Sequence, residues 1–257
     1  MNILIGDIGN TITKICLVDF NTFNVKRIIY LDSSKIFSKR YLKNKLKILK
    51  NKSLHKIALV SSVVPKYQIS LKKFLNNFNK IKLKEIKEKN INKIIKIKVR
   101  NINQVGSDRI ANAVGVYKKY KSNCIVVDFG TATTFDVVTK DGVYNGGIIA
   151  PGIKLSINSL TNKADQIPIF SVKKQKKVVG KDTIGALRSG FYWGYSGLVN
   201  NIILKIEKET KKKYKIIFTG GYADLFKTSI FRPFTIDRNI TISGIIEIFK
   251  KNVENLI

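Results

Sequence analysis

Short apolar runs alternate along this chain with segments whose apolar residues recur at helical spacing. The continuous run 57–64, which ends before Pro65, predicts a buried strand, and residues 215–219 predict another. Apolar residues at helical spacing predict helices over residues 67–78 and 242–253. Strands that alternate with helices indicate an α/β protein.

A long helix is predicted after residue 182. Asp182-Thr183 is an N-cap signal, and the helix should run to Leu204. Gly190, Gly194 and Gly197 fall on one face of it. Small residues let another helix approach closely, so this face predicts a contact with another domain or subunit.

A strand–turn–strand pattern occurs twice, near the start and near the middle of the chain. In both copies an apolar run leads into the spacing D-x-G-x-x-x-T, formed by Asp7, Gly9 and Thr13 and again by Asp128, Gly130 and Thr134. Each copy continues into a second strand-like run, so each half should open with a β-hairpin. The repeat predicts two related domains that face each other, over residues 1–121 and 122–257.

The charge of the chain is strongly positive, with 48 Lys and Arg against 17 Asp and Glu and a net charge of +31. Such a charge is typical of nucleic-acid-binding proteins. Here the lysines lie on nearly every polar face, with runs at 173–174, 176–177 and 211–213, and no aromatic residues are interleaved with them in one stripe. We therefore favour a compositional origin and expect no specific nucleic acid, although the field should attract anions.

Cysteine and histidine give little chemistry. Cys16 and Cys124 lie in apolar runs and are expected to be buried free thiols. His55 lies beside Lys56 in a loop-like stretch and is expected to be solvated. No secretory signal and no apolar run of membrane-spanning length is visible, so the sequence predicts a cytoplasmic protein with no membrane partner.

The first repeat carries a candidate phosphate site, Asp7-Ile8-Gly9-Asn10-Thr11. Glycine lets the backbone amides of such a turn approach a phosphate. A carboxylate beside phosphates needs a cation between them, so Asp7 implies Mg²⁺, held through water. An ordinary hairpin turn is the alternative, and the second copy of the pattern favours phosphate binding. The chain has no P-loop motif.

Gly106-Ser107-Asp108-Arg109 stands at a predicted helix start. Ser107 and Asp108 could simply cap that helix. The functional interpretation is that Asp108 accepts a proton from a substrate hydroxyl and that Arg109 binds a substrate carboxylate. Two further glycine-rich segments, 146–152 and 219–221, are interpreted as a loop and as a bare backbone surface for a nucleotide.

Together these motifs resemble those of the type III pantothenate kinases in order and spacing, and residues 128–152 are the most specific part. The resemblance covers nearly the whole chain. It implies two ribonuclease-H-like domains of the actin-like ATPase fold, related by duplication, with the active site in the cleft between them. It also implies a homodimer that uses ATP, Mg²⁺ and a monovalent cation, K⁺ or NH₄⁺, to phosphorylate pantothenate to 4′-phosphopantothenate, the first step of coenzyme A biosynthesis.

The resemblance also implies roles for individual residues. Asp108 is the catalytic proton acceptor, Asp128 ligates the monovalent cation, and Thr131 contacts ATP. Pantothenate is bound by Gly106, Ser107, Asp108, Arg109 and Thr183. The ATP phosphates are held by Asp7, Ile8, Gly9, Asn10, Thr11, Ile12, Thr13 and Lys14.

The chain departs from the family at residues 92–101, which lack the aromatic residue, glycines and proline that usually form one wall of the pantothenate pocket. Two other functions fit the same patterns: a regulatory or nucleic-acid-associated protein on this fold, and another small-molecule kinase of the superfold, such as a sugar kinase. The acids Asp7, Asp108 and Asp128 argue against a pure binding protein, which needs no carboxylates near phosphate.

Overall fold

The computed structural model describes residues 1–50 and 52–252, which form an α/β protein. Its strands are β1 Asn2–Ile8, β2 Ile12–Asp19, β3 Val25–Asp32, β4 Leu54–Ser62, β5 Lys82–Glu85, β6 Lys96–Ile97, β7 Cys124–Phe129, β8 Ala132–Val138, β9 Val143–Pro151, β10 Lys215–Gly220 and β11 Phe234–Ile236. Its α-helices are α1 Lys39–Lys45, α2 Pro65–Asn79, α3 Ser107–Tyr120, α4 Ile153–Lys163, α5 Thr183–Thr210 and α6 Ile240–Asn252.

The chain forms two compact units. Of the described residues, the first unit contains those within 1–121, 142–144 and 239–252, and the second contains residues 122–141 and 145–238. The predicted division at 121/122 assigns α6 to the second domain, whereas in the structure α6 packs on α3 of the first unit.

The first unit is built on a sheet with strand order β3-β2-β1-β4-β5. β1, β2 and β3 are antiparallel neighbours, while β4 and β5 run parallel to β1. Apolar side chains from these strands and from α1 and α2 form one buried cluster, in which Leu4, Ile8, Val60 and Leu71 are almost fully buried. This core holds the carboxyl ends of β1 and β4 side by side.

The second unit repeats this arrangement. Its strands follow the order β9-β8-β7-β10-β11, with β7 and β8 antiparallel and with β10 parallel to both β7 and β11. The strand order and the directions of these three strand pairs match those of the first sheet, as expected for duplication of a ribonuclease-H-like domain. The core of this unit includes Phe129, Phe135, Phe218 and Phe226, which are almost fully buried.

Helices α3 and α6 of the first unit approach each other at two glycines. A Cβ atom on Gly115 would lie 2.5 Å from the carbonyl oxygen of Ile240, and a Cβ atom on Gly244 would overlap the carbonyl of Ala111. Only glycine permits this packing. The buried Thr241 hydroxyl donates to Asn112 Oδ1 over 2.7 Å and adds one polar contact to it.

Most predicted elements are confirmed, and their ends differ by a few residues. The predicted helix 183–204 continues to Thr210, and the Asp182 side chain caps it by accepting from the Gly185 N–H over 2.7 Å. The predicted last helix is α6, and Val253 lies outside the described residues. Both cysteines are buried free thiols, as predicted.

Two local predictions are wrong. His55 lies in β4 rather than in a loop, where its Nδ1 accepts from the Ile57 N–H and its ring stacks on Phe20. The glycine-rich residues 146–151 belong to β9 rather than to a loop. In the part of the chain described here, no helix is long and apolar enough to span a membrane.

Candidate active site

Asp7 lies at the carboxyl end of β1, beside Ser61 of β4. The Ser61 hydroxyl donates a hydrogen bond to Asp7 Oδ1 over 2.6 Å. Burial raises the pKa of Asp7 to about 6, the Ser61 hydrogen bond opposes this, the charge of Asp108 adds to it, and the charge of Lys14 lowers it. The carboxyl group is therefore held in one orientation at a position where its negative charge is poorly solvated.

Asp108 lies in the first turn of α3. The N-cap residue is Gly106, and Ser107 is the first helical residue, so Ser107 does not act as the side-chain cap. Oδ1 of Asp108 accepts from the Arg109 N–H over 2.8 Å. Asp108 is half-buried, and burial raises its pKa above the usual value against the opposing effect of that hydrogen bond.

The first unit thus brings two of the predicted site acids together. Each is poorly solvated, and the charge of Asp108 acts on Asp7. Two carboxylates in this arrangement repel each other unless a proton or a cation lies with them.

In the turn between β1 and β2, Asn10, Thr11 and Ile12 are exposed and Gly9 is partly exposed. The turn is closed by a hydrogen bond from the Gly9 N–H to the Ile12 carbonyl over 3.2 Å. Ile12 is 51 % exposed despite its apolar side chain. These four residues are the part of the predicted phosphate segment that can face a ligand.

Other members of that segment have interior roles. The side chain of Ile8 is fully buried, and so is that of Thr13, whose hydroxyl pairs with the Ser33 hydroxyl over 2.9 Å. Lys14 is the β2 partner of Asp7 in the hairpin. The side chains of Ile8 and Thr13 anchor the turn rather than presenting atoms to a ligand.

In the second unit, Asp128 occupies the position in β7 that Asp7 occupies in β1. The hairpin turn is closed by a hydrogen bond from the Gly130 N–H to the Ala132 carbonyl over 3.0 Å, and this turn is one residue shorter than the first. The carboxylate of Asp128 lies against the bare backbone of Gly220, where a Cβ atom would be 2.6 Å from Oδ1. Gly220 has φ +85°, which favours glycine.

Gly152 packs closely against the turn between β7 and β8. A Cβ atom on Gly152 would overlap the carbonyl of Thr131 and lie 2.7 Å from that of Gly130. Thr131 itself is exposed at the turn. Thr183, the remaining predicted site residue, is exposed at the first position of α5 in the same unit.

Residues 92–101, where the sequence lacks the expected aromatic and glycine residues, are tied into the first unit. Ile94 and Ile95 are buried, and β6 pairs with Val143 and Tyr144. Backbone pairing and two isoleucines thus order the segment.

Sequence reasoning missed the role of β4. Ser61 and Ser62 were read only as part of a buried strand, and their contacts come from residues 45 and 54 positions away in the chain. Their one signal was two hydroxyl residues at the end of an apolar run.

A cavity of the first unit lies away from these residues. It has a volume of about 680 Å³ and is lined by apolar side chains such as Phe37, Phe74 and Phe78 together with Lys39, Arg40, Lys43 and Lys73. None of the predicted site residues lines it, so it belongs to no part of the candidate site.

The sequence model of the family described as type III pantothenate kinase matches residues 3–205. The chain belongs to the type III pantothenate kinase family. A protein of Pelagibacter ubique strain HTCC1062 named type III pantothenate kinase is 52 % identical over 245 residues, which cover 95 % of this chain and 97 % of that protein. The family match spans every predicted site residue, from Asp7 to Thr183.

Solved structures place this pantothenate kinase family member in the actin-like ATPase fold. A conserved putative Baf family transcriptional activator from Campylobacter jejuni superimposes with a TM-score of 0.64 at 20 % identity, over 98 % of this chain and 99 % of that one. MreB 5 of Spiroplasma citri bound to AMPPNP gives a TM-score of 0.55 at 13 % identity, over 100 % and 99 %. At these identities the likeness concerns the fold alone, and the predicted fold class is confirmed.

Proposed function

We propose that this chain is a kinase that transfers a phosphoryl group from ATP to pantothenate, giving 4′-phosphopantothenate in the first step of coenzyme A biosynthesis. The observation that carries the proposal is that the family match spans every predicted site residue, among which Asp7 and Asp108 lie together in the first unit. The two glycine turns offer backbone groups for phosphates, and the acids near the ends of β1 and β7 offer carboxylates for the cations that such a reaction uses.

Asp108 is the proton acceptor for the pantothenate hydroxyl. Its raised pKa makes it a stronger base than a solvated aspartate, and its hydrogen bond to the Arg109 N–H fixes its orientation. Phosphoryl transfer through a loose transition state depends mainly on position and charge, so a modest base suffices. The Asp108 carboxylate therefore orients the hydroxyl and takes its proton as the new P–O bond forms.

Pantothenate is bound through its carboxylate and its polar chain. Arg109, next to the base, suits that carboxylate because a guanidinium can bind it through two parallel hydrogen bonds. Gly106 can bind pantothenate through its backbone, and Thr183 can bind it through its hydroxyl. Ser107 contributes to this pocket only through its backbone, because its hydroxyl is bonded to both backbone groups of Ser62.

The ATP phosphates are held by the backbone at Gly9, Asn10, Thr11 and Ile12, with Thr131 from the second turn contacting ATP. Asp7 carries Mg²⁺ through water. Its poorly solvated carboxylate fits a hard cation, since it lies beside a second acid and a cation offsets the repulsion. Mg²⁺ would neutralise charge on the phosphates. Among the residues the structure describes there is no cluster of three or more metal-binding side chains, and Mg²⁺ characteristically relies on waters and phosphates instead.

The monovalent cation, K⁺ or NH₄⁺, is held by Asp128. Its carboxylate stands near the end of β7 beside Gly220, and a carboxylate oxygen is a ligand that suits a hard cation. The homodimer and the cytoplasmic location belong to the same proposal.

A coupled assay for ADP release tests the function. The purified chain is given MgATP and K⁺ with pantothenate, with glucose, with N-acetylmannosamine or with no acceptor. We expect ADP release that depends on pantothenate, and formation of 4′-phosphopantothenate by mass spectrometry. ADP release with a sugar alone would assign the chain to sugar phosphorylation, and no release with any acceptor would favour a regulatory role.

A further inference from the structure

The end of β4 contacts one site acid of the first unit directly and the residue next to the other acid. Ser61 donates its hydroxyl to Asp7 Oδ1 over 2.6 Å. The next residue, Ser62, is bonded through its backbone to the helix that carries Asp108: its N–H donates to Ser107 Oγ over 2.7 Å, and its carbonyl accepts from Ser107 Oγ over 2.8 Å.

The Ser107 hydroxyl thus uses both its donor and its acceptor capacity on one residue 45 positions away. Ser107 is almost fully buried, with 1 % of its surface exposed. Without this hydroxyl, the Ser62 N–H and carbonyl would each lose a partner at the point where the strand meets the helix, which is costly in a poorly solvated place. The bond pair fixes the first turn of α3 against β4.

Ser61 is also fully buried. Its hydrogen bond is short and ends on a carboxylate, so it belongs to the stronger class of hydrogen bonds. It restricts rotation of the Asp7 carboxyl group and stabilises its charged form.

We propose that Ser61 and Ser107 are positioning residues that hold Asp7 and Asp108 in one fixed arrangement through the end of β4. The proposal rests on the proposed function for its meaning in catalysis. Ser61 sets the Asp7 carboxylate for the Mg²⁺-bound phosphates, and Ser107 sets the Asp108 carboxylate for the acceptor hydroxyl. The hydroxyl of neither serine touches the substrates.

Three alanine variants test this: Ser61→Ala, Ser107→Ala and, as a matched control, Ser70→Ala. Ser70 lies in the same unit and loses a comparable hydrogen bond, from its hydroxyl to the Ile36 carbonyl over 3.1 Å, away from both acids. We expect all three to fold, with the largest loss of thermal stability in Ser107→Ala, which leaves two backbone groups of Ser62 without this partner. Only the first two should lower kcat, by about 10–100-fold, as loss of a supporting partner does in cation sites.

The two alanine variants should lose activity in different ways. Ser61→Ala should raise the Mg²⁺ concentration needed for half-maximal activity, because its target is Asp7. Ser107→Ala should lower kcat while leaving the KM for MgATP close to that of the wild type, because its target is Asp108. Ser61→Thr keeps the hydroxyl and should recover most of the loss. A merely structural role would give equal effects in Ser70→Ala and no such division.

A binding measurement separates this proposal from the proposed function. Thermal stabilisation of the full chain by MgATP, measured without any acceptor, should be smaller in Ser61→Ala than in the wild type and unchanged in Ser70→Ala. If the wild type fails to phosphorylate pantothenate, the function is wrong and this measurement still decides the role of Ser61. Wild-type kcat and wild-type stabilisation by MgATP in folded Ser61→Ala and Ser107→Ala would overturn the positioning role.

Discussion

The charge of Asp108, in the first turn of α3, acts on the carboxyl group of Asp7 at the end of β1. Burial is the larger cause of the raised pKa of Asp7, about 6, and the negative charge of Asp108 adds to it. Two acids whose charges interact repel each other unless a cation or a proton lies with them. The proposed function gives the two acids different roles, and substitutions should separate those roles.

Asp108→Asn should lower turnover by about 10²–10⁴, the range that a general acid–base group contributes. Stability should not fall, because the amide oxygen can still accept from the Arg109 N–H and a poorly solvated charge is removed. The kcat of purified protein measures the first expectation and thermal unfolding the second. Asp165→Asn, which removes an exposed acid of the second unit, is the matched control. Near-normal turnover in Asp108→Asn would remove it from the mechanism.

Asp7 should make stability depend on pH when no divalent cation is present. Its pKa is raised from 3.8 to about 6, so between these values the folded state keeps a proton that the unfolded state releases. The free energy of unfolding should therefore fall as pH rises through this window, by on the order of 1–2 kcal/mol. Asp7→Asn cannot ionise and should lack this fall.

The measurement is denaturant unfolding of both proteins in EDTA from pH 4 to pH 8, where the variant should be the more stable protein only at the upper end. Added Mg²⁺ should stabilise the wild type at the upper end and leave Asp7→Asn unchanged. Parallel pH profiles for the two proteins would show that Asp7 titrates as an ordinary acid.

Asp128 should govern the response to K⁺. In Asp128→Ala the K⁺ concentration for half-maximal activation should rise by about tenfold or more, since a carboxylate of the cation site is gone. The KM for pantothenate should change less. Activity titrated with KCl against a choline chloride background of constant ionic strength measures this. Asp141→Ala, an exposed acid of the same unit, is the control, and an unchanged K⁺ response in Asp128→Ala would refute the assignment.

Gly152→Ala should disturb the second turn without unfolding the protein. The added methyl group would meet the carbonyls of Gly130 and Thr131, so the turn must shift. Overpacking of this kind costs about 1–3 kcal/mol. We expect a raised KM for ATP together with a lower melting temperature. Gly194→Ala in α5 is the control, because it lies outside the segments assigned to the nucleotide and nothing beyond its own helix comes within 4 Å of the added carbon. A wild-type KM for ATP would show that the turn does not contact the nucleotide.

The parts of the fold that the sequence predicted are those with a local signal. Both hairpins, α3 and β10 follow from apolar runs, turn residues and helical spacing that lie next to one another in the chain. The strand β9 was not predicted because Gly146, Gly147 and Pro151 within it, and Gly152 directly after it, are residue types typical of loops. Pairing within the sheet overrides that local preference.

The candidate site shows the same division. Short motifs predict Asp7 and Asp108 as site residues, but a motif carries no information about burial, and Asp108 is half-buried with a raised pKa. The helix start that carries Asp108 is bonded to β4 through Ser62 and Ser107, which are 45 residues apart in the chain. Packing of α6 on α3 is likewise a contact between distant segments, which no local pattern encodes.

The positive charge should give the chain weak, non-specific affinity for nucleic acid and nothing more. Its lysines are spread over the sequence, whereas a specific site needs several cations on one continuous face together with groups that read bases. Binding should therefore be alike for two unrelated duplexes and one single strand. It should weaken by about 10³-fold or more between 50 and 200 mM salt, as counterion release requires when several phosphates are neutralised. Filter binding at several salt concentrations measures both expectations, and pantothenate phosphorylation should proceed with no nucleic acid present. Tight binding to one sequence that persists at high salt would instead support a regulatory function on this fold.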